Sequence, residues 1–364
     1  MKVAFITRHT PSNYGSVLQT YATQKAIEAL GHEAVCINYI RTDELPKNQA
    51  KTHLSISRWN KNAATRLLYY ATQKPVFDAA TKRFDIYRDK MLTLTDEMWN
   101  TPEQLAEKPP VADVYMTGSD QVWSPTCVGF DPAYFLTFAK PEQKYSYAAS
   151  IAVKKYPENL KDEFTKRISD FQGYSVREKS GAEIVRELTG KNASVNIDPT
   201  LLLKSESWDK IASDEKREPY IFLFNVLKPN KLIDYAISLA EQKGLKILYL
   251  NNRQPVKHER IEYLNPITAD KFIGLIKNAE YVCTNSFHGN AFSVIYGKKF
   301  VVETETAAST NIRSQELLEY LGLGDRILSS THTPDIDAEY DLDSVQKLLD
   351  EERKKSAEYL SALV

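Results

Sequence analysis

Cysteine is scarce in this sequence of 364 residues. The three present, Cys36, Cys127 and Cys283, lie far apart and form no Cys-x-x-Cys pair. That spacing argues against a disulfide framework and against a cysteine metal site. Each thiol reads instead as a small buried hydrophobe in a reducing compartment. An excess of one charge is missing too. The formal net charge is -1, so no concentrated basic footprint marks a nucleic-acid-binding protein. Long apolar runs are absent: no segment could span a bilayer, and the stretch MKVAFITRHTPSNYG has too short an apolar run for a secretory signal. The expected location is the cytoplasm. No phosphate loop ending in Gly-Lys-Ser/Thr occurs, and no Gly-x-Gly-x-x-Gly follows the first strand, so ATP and NAD lack their usual signal. Neither a His-Glu-x-x-His motif nor a carboxylate cluster calls for a metal. Internal repeats and low-complexity tracts are also lacking.

What remains is an ordinary globular composition, 42% hydrophobic and 26% charged. The length exceeds what one core usually supports, which predicts two domains. Strand and helix patterns alternate along the chain, the signature of an α/β fold with largely parallel sheets. An apolar strand at Val3 to Ile6 leads through RHTPSNYG into a helix whose Leu18, Tyr21, Ala22, Ala26 and Ala29 share a face. Strands follow at 34–38, 113–117, 144–148, 174–176 and 195–197. A charged stretch from Ser205 to Pro219 marks the boundary, dividing an N-terminal Rossmann-like domain, 1–212, from a C-terminal one, 213–364. The second repeats the alternation and ends in a charged amphipathic helix from Asp341 to Leu363. Two doubly wound domains facing a cleft is the simplest architecture. Residues 41–110 read as an insertion with two helices, where Lys and Arg interleave with Trp59, Tyr69, Tyr70, Phe77, Phe84 and Tyr87. Such a surface suits an acceptor or a membrane interface; two helices packed on the sheet, with charges of mixed sign, is the plainer reading.

Ligands of open α/β sheets sit outside the carboxyl ends of strands, which selects four loops. In Asn13-Tyr14-Gly15-Ser16, the glycine permits close backbone approach and the helix start suits an anion; the same residues also read as a turn and an N-cap. In 117–123, TGSDQVW, Asp120 can take a proton from a sugar hydroxyl, beside Ser119, and Trp123 can stack on a sugar ring. Alternatively Ser119 or Asp120 caps a helix and Trp123 is core. Arg177, at a strand end in 175–180, can grip a phosphate or carboxylate bidentately, or can be a salt-bridge partner. The fourth loop, 284–290, sets Ser286, Phe287, His288 and Gly289 at a helix start. There the free N–H groups favour an anion and His288 titrates near neutral pH. Its register with Ala291, Phe292 and Ile295 also fits a core histidine.

The blocks NYGSVLQTYATQKAIEALGHE, TGSDQVW, SYAASI, SVREKSGAEIVRELTG with IDPTLLL, and TNSFHGNAFSVIYGKKFV together resemble the polysaccharide pyruvyl transferase family. They span most of the chain from Asn13 to about Ile327. The resemblance implies two Rossmann-like halves of GT-B type, and phosphoenolpyruvate as donor and co-substrate with no separate cofactor. Its acceptor is a sugar diol on a polymeric or lipid-linked glycan, which leaves contact with the inner membrane face open. The family's anion-binding arginine maps onto Arg177 and its catalytic histidine onto His288. Many members carry arginine-leucine before that histidine, where this chain has Ser286-Phe287. Arg313, in Asn311-Ile312-Arg313-Ser314 at a helix start, is the candidate replacement. Two other functions compete. A nucleotide-sugar glycosyltransferase would share the fold but lacks a visible ribose-binding signature, and an inactive glycan-binding subunit is favoured only by the Ser286-Phe287 departure.

Overall fold

In the computed structural model the described residues are 1–364, except 11–12, 46–47, 49, 52–53, 56–58, 127–129, 215–216, 227, 251–255, 305–310 and 364. Cys127 lies outside the described residues.

The first half is built on a five-stranded sheet. Its strands are β1 (Lys2–Ile6), β2 (Glu33–Tyr39), β3 (Leu94–Trp99), β4 (Val114–Thr117) and β5 (Lys144–Ser146). They lie in the order β3-β2-β1-β4-β5 with every pairing parallel. Two short strands, β6 (Ser175–Val176) and β7 (Ser194–Val195), pair with each other and meet this sheet through single bridges such as Ala149 with Val176. The second half carries β8 (Tyr220–Phe224), β9 (Lys246–Leu250), β10 (Ile261–Tyr263), β11 (Tyr281–Thr284), β12 (Lys299–Glu303) and β13 (Ile327–Leu328). These form a parallel sheet ordered β10-β9-β8-β11-β12-β13. The central strands β1, β4, β8 and β11 are almost wholly buried. That is why they read as continuous apolar runs rather than alternating ones: helices cover both faces of each sheet.

The strand order reverses beside β1 in one sheet and beside β8 in the other. Loops that leave the strands on either side of such a point diverge and open a crevice. The helices α1 (Tyr14–Ala29) after β1 and α11 (Phe287–Ile295) after β11 therefore begin at the two crevices.

The halves are joined by apolar packing. Tyr14, Val17, Leu18 and Phe84 from the first half share one cluster with Phe224, Phe272 and Phe292 from the second. The Tyr14 ring stacks on Phe272 at 4.7 Å and 4°, and its hydroxyl accepts the Ile267 N–H at 3.2 Å. Within the charged stretch expected to mark the domain boundary, Trp208 is fully buried against Phe292 and Tyr21. The C-terminal helix α13 (Leu342–Ser361) runs back onto the first half. There Arg353 donates to the Leu201 carbonyl at 2.8 Å and Tyr359 to the Ser146 carbonyl at 2.9 Å. Residues 41–110 are not purely a helical insertion, because β3 within them is the edge of the first sheet. Three consecutive polar residues, Thr95, Asp96 and Glu97, interrupt the apolar run that marks the central strands.

The stacked Tyr14 bridges the halves, so Tyr14→Ala is expected to lower stability by about 3 kcal/mol. Tyr14→Phe, which keeps the ring, should cost about 1 kcal/mol. Urea denaturation of the two variants measures the difference.

Candidate functional site

The first crevice contributes Gly15, Ser16 and Asp120. Asn13 caps α1 by accepting the Gly15 N–H at 3.0 Å, which starts the helix immediately after the loop. Gly15 then faces the second half at very close range: a Cβ on it would lie 1.9 Å from His288 Nδ1. Only glycine permits this approach. Ser16 Oγ donates to Asp120 Oδ2 at 2.9 Å, and the Gln121 N–H to Oδ1 at 2.8 Å. Asp120 adopts φ +81, in the left-handed region that side chains avoid. Hydrogen bonds from the N–H groups of Val122 and Ser150 to its carbonyl hold it there. Fixed in this way, the carboxylate lies within electrostatic reach of Arg8, Arg177, Arg313 and His288. No helix follows, so Asp120 and Ser119 are not helix caps.

The second cluster is centred on Asp198. Arg177 Nη1 pairs with Asp198 Oδ2, and Ser119 Oγ donates to the same oxygen at 3.2 Å. Thr200 supplies its N–H at 3.0 Å and its hydroxyl at 2.7 Å to Oδ1. His288 Nε2 stands 3.8 Å from Oδ2. An arginine of the first half and a histidine of the second thus converge on one carboxylate oxygen. Phe287 lies beside them, its ring centre 4.9 Å from the Arg177 guanidinium carbon and 5.5 Å from that of Arg313. Arg313 lies in the first turn of α12 (Ile312–Tyr320). Its guanidinium turns inward. A cavity of about 290 Å³ runs between the halves, lined by Arg177, Asn196, Asp198, Phe287, Arg313 and Tyr320 among others. That is close to the lower end of small-molecule sites.

Burial and charge set the ionisation. Burial alone would push Asp120 up, but Arg8, Arg177 and Arg313 outweigh it and hold the carboxylate below its usual range. Burial opposes ionisation of Asp198 as well, yet Arg177 and His288 bring it down to about 2. His288 is lowered to about 4, chiefly by burial, with Arg177 and Arg313 adding to the effect. It is therefore a neutral imidazole at pH 7, not the near-neutral titrating group expected from its loop. Arg313 falls to about 10, because of burial and then repulsion by Arg177. Among the described residues, no hydrogen bond reaches Nε or Nη2 of Arg177, Nε of Arg313, Nε2 of His288, or the side-chain amide of Asn290. Buried polar atoms without partners are destabilising unless a ligand or water meets them.

Two residues expected to touch substrate do not. Trp123 is fully buried, stacked on Phe135 and edge-on to Phe164 and Phe171, with Nε1 donating to the Tyr134 carbonyl. It cannot stack on a sugar. Tyr14 belongs to the seam between the halves. Others act as supports. Ser286 caps α11, with Oγ accepting the Gly289 N–H at 3.4 Å, and a Cβ on Gly289 would strike Thr284 Oγ1 at 2.4 Å. Asn311 ties the ends of β11 and β12 by donating to the carbonyls of Asn285 and Glu303. Asn13 is exposed at its cap. Sequence reasoning missed Asp198, Arg8 and Asn290. The Asp-Pro at the start of the IDPT block was the available signal for Asp198. Among the described residues, no group of three or more His, Cys, Asp or Glu is placed to hold a metal, and no helix is long and apolar enough to cross a membrane.

Two parallel α/β halves with a charged site at their seam define a GT-B-like protein. A Listeria monocytogenes protein assigned as a UDP-N-acetylglucosamine 2-epimerase superposes with a TM-score of 0.52 at 13% identity, over 99% of this chain and 90% of that one. That likeness speaks for the fold alone. The Rickettsia bellii UDP-N-acetylglucosamine 2-epimerase aligns at 12% identity over 100% and 94% of the two chains, with a TM-score of 0.48. Curated proteins give no significant sequence match. The sequence profile of the polysaccharide pyruvyl transferases matches residues 13–304. The chain belongs to the polysaccharide pyruvyl transferase family, and it is an enzyme.

Gly15→Ala is expected to displace the His288 ring and lower turnover on the order of a hundredfold, with the far-ultraviolet circular dichroism unchanged. The histidines also predict a pH dependence. His9 and His288 are both lowered to about 4 in the folded protein, mainly by burial. The unfolded chain therefore binds more protons between about pH 6.5 and 4. Stability is full above that window and falls as the pH drops through it, by on the order of 3 kcal/mol for each histidine. His288→Gln should flatten about half of that slope in denaturation curves taken across the window.

Proposed function

We propose that the enzyme transfers pyruvate from phosphoenolpyruvate to a sugar, forming a ketal across two hydroxyls of a glycan or a lipid-linked glycan precursor. The observation that carries this reading is the pair of guanidinium groups of Arg177 and Arg313 beside Phe287. Nε and Nη2 of Arg177 and Nε of Arg313 lack hydrogen-bond partners among the described residues. A small donor bearing both a carboxylate and a phosphate would satisfy them with paired, charge-assisted bonds. Arg313 thereby supplies the cation that Ser286-Phe287 omits.

The chemistry follows from the remaining groups. His288 delivers a proton to the methylene carbon of the donor, and the adjacent carbon becomes an oxygen-stabilised cation. One sugar hydroxyl bonds to that carbon as its proton passes to Asp120, which its cationic neighbours keep ionised. The bond to the phosphate oxygen then breaks and phosphate departs with the electron pair. The second hydroxyl closes the ketal. Of the two protons released, one replaces that spent by His288 and the other leaves with phosphate. The reaction balances without an organic cofactor. His288 is neutral in the free enzyme, so it acts as an acid only once a proton arrives. Anionic donor beside Nε2 favours the imidazolium, and donor binding is coupled to proton uptake.

Phosphate release together with ketal formation, on mixing enzyme, phosphoenolpyruvate and a sugar acceptor, tests the reaction. Release of a nucleoside diphosphate from a nucleotide sugar instead would replace it with glycosyl transfer. His288→Gln is expected to lose about a hundredfold to ten-thousandfold in rate. Arg313→Ala should weaken donor affinity, with Arg313→Lys restoring only part because an ammonium cannot make the paired contact. Calorimetry of donor binding in buffers of different ionisation heat should register net proton uptake in the wild type and none in His288→Gln.

A further inference from the structure

We propose that the projecting end of one long helix docks the enzyme on an anionic bilayer surface, an inference that rests on the reading of a lipid-linked acceptor. Helix α2 (Ala63–Leu68), a π-helical turn (Tyr69–Gln73) and helix α3 (Lys74–Met91) follow one another without interruption. Together they extend roughly 40 Å. The far end of α3 is anchored. Phe84 is buried 5.9 Å from the Tyr14 ring, and Tyr87 and Met91 pack on the cluster that joins the halves. The near end is mostly exposed. No residue of α2 is buried, and within the π turn only Tyr69 is, held through a hydrogen bond from its hydroxyl to the Ala50 carbonyl.

This projecting end is apolar where water would favour polar groups. Leu67 is 72% exposed, Val76 60%, Leu68 49% and Tyr70 43%. Four large apolar side chains are thus exposed within ten residues of helix, a local concentration that scattered single surface apolars do not produce. The local charge identifies the partner. From Leu45 to Phe77 the sequence contains Lys47, Lys51, Arg58, Lys61, Arg66 and Lys74 and no Asp or Glu, although the whole chain has a formal net charge of -1. The acidic residues of the helix begin only at Asp78, which pairs with Lys74. Exposed leucines flanked by lysine and arginine suit the boundary between anionic headgroups and acyl chains. Nucleic acid would use the cations but not the leucines, and a second copy of this face would bring like charges together. Because no described helix is long and apolar enough to cross a membrane, the contact is superficial. From Val76 to Phe84 is about 12 Å along the axis. Phe84 packs on Tyr14, and the next residue, Gly15, packs on His288. Docked there, the enzyme would hold its cleft close to sugars tethered in the bilayer.

The test is co-sedimentation of the full-length enzyme with vesicles of phosphatidylcholine alone and of phosphatidylcholine mixed with phosphatidylglycerol. Binding to the mixed vesicles, released by salt and absent from the neutral ones, is the expected result. Leu67→Ser with Val76→Ser, and separately Lys61→Glu with Arg66→Glu, should each weaken it by about tenfold or more. Turnover on a water-soluble acceptor should stay at the wild-type level in both variants. Binding unaffected by either pair, or no binding to the mixed vesicles, overturns the proposal. So does a lipid-free dimer, seen by light scattering, that the same substitutions dissociate. A failure of the pyruvyl-transfer reading would show instead as no turnover on the soluble acceptor, whatever the vesicles do.

Discussion

The buried carboxylate of Asp198 holds the site together. An ion removed from water must recover its lost hydration from fixed partners, and Asp198 finds them in both halves of the molecule. Thr200 and Ser119 supply hydroxyls and an N–H, Arg177 a guanidinium, and His288 approaches from across the seam. Arg177 is oriented by this pairing, so its Nη1 is committed while Nε and Nη2 stay available. The cleft is therefore more than a gap between two sheets. It is a place where charges of both halves are arranged in advance of a ligand, and preorganised charge is the largest lever a site of this kind has.

The same seam must bring α1 and α11 into contact, and the sequence meets that demand with a glycine rather than with a polar contact. Gly15 lets the start of α1 approach the His288 ring with no side chain between them. Tyr14, one residue earlier, closes the apolar side of the seam against Phe272. One turn of helix thus carries both the adhesive and the clearance. Enclosure of the histidine by this packing is also what lowers its proton affinity, so interdomain adhesion and the electrostatics of the site are consequences of one arrangement. The aromatic cluster that joins the halves argues against free hinge motion between them, since opening the seam would expose Tyr14, Phe84, Phe272 and Phe292 together.

Much of this was legible from local pattern. The continuous apolar runs at Val3, Tyr220 and Tyr281, each ending in a polar loop that starts a helix, place the crevice-forming junctions because sheet burial and helix capping are short-range effects. Asn13 and Ser286 announce their helices, and the ordered blocks from Asn13 onward point to the family. The alternation of strands and helices carries the α/β class, and Arg177 and His288 were marked by their positions at strand ends. Edge strand β3 escaped because half-exposed Leu94–Trp99 lacks the apolar run that betrays a central strand.

Only the tertiary structure decided what each loop residue faces. Trp123 and Tyr14 look like ligand contacts in sequence, yet one fills the core of the first half and the other fills the seam. Asp198 is an unremarked residue before a proline until β7 delivers it beside Arg177. The proton affinity of His288 could not be read from its loop, because desolvation depends on what closes over the ring, and that is α1 from more than 250 residues away. Periodicity and capping are encoded within a few neighbouring residues; burial and charge pairing are decided by chain segments that meet only when the two halves close.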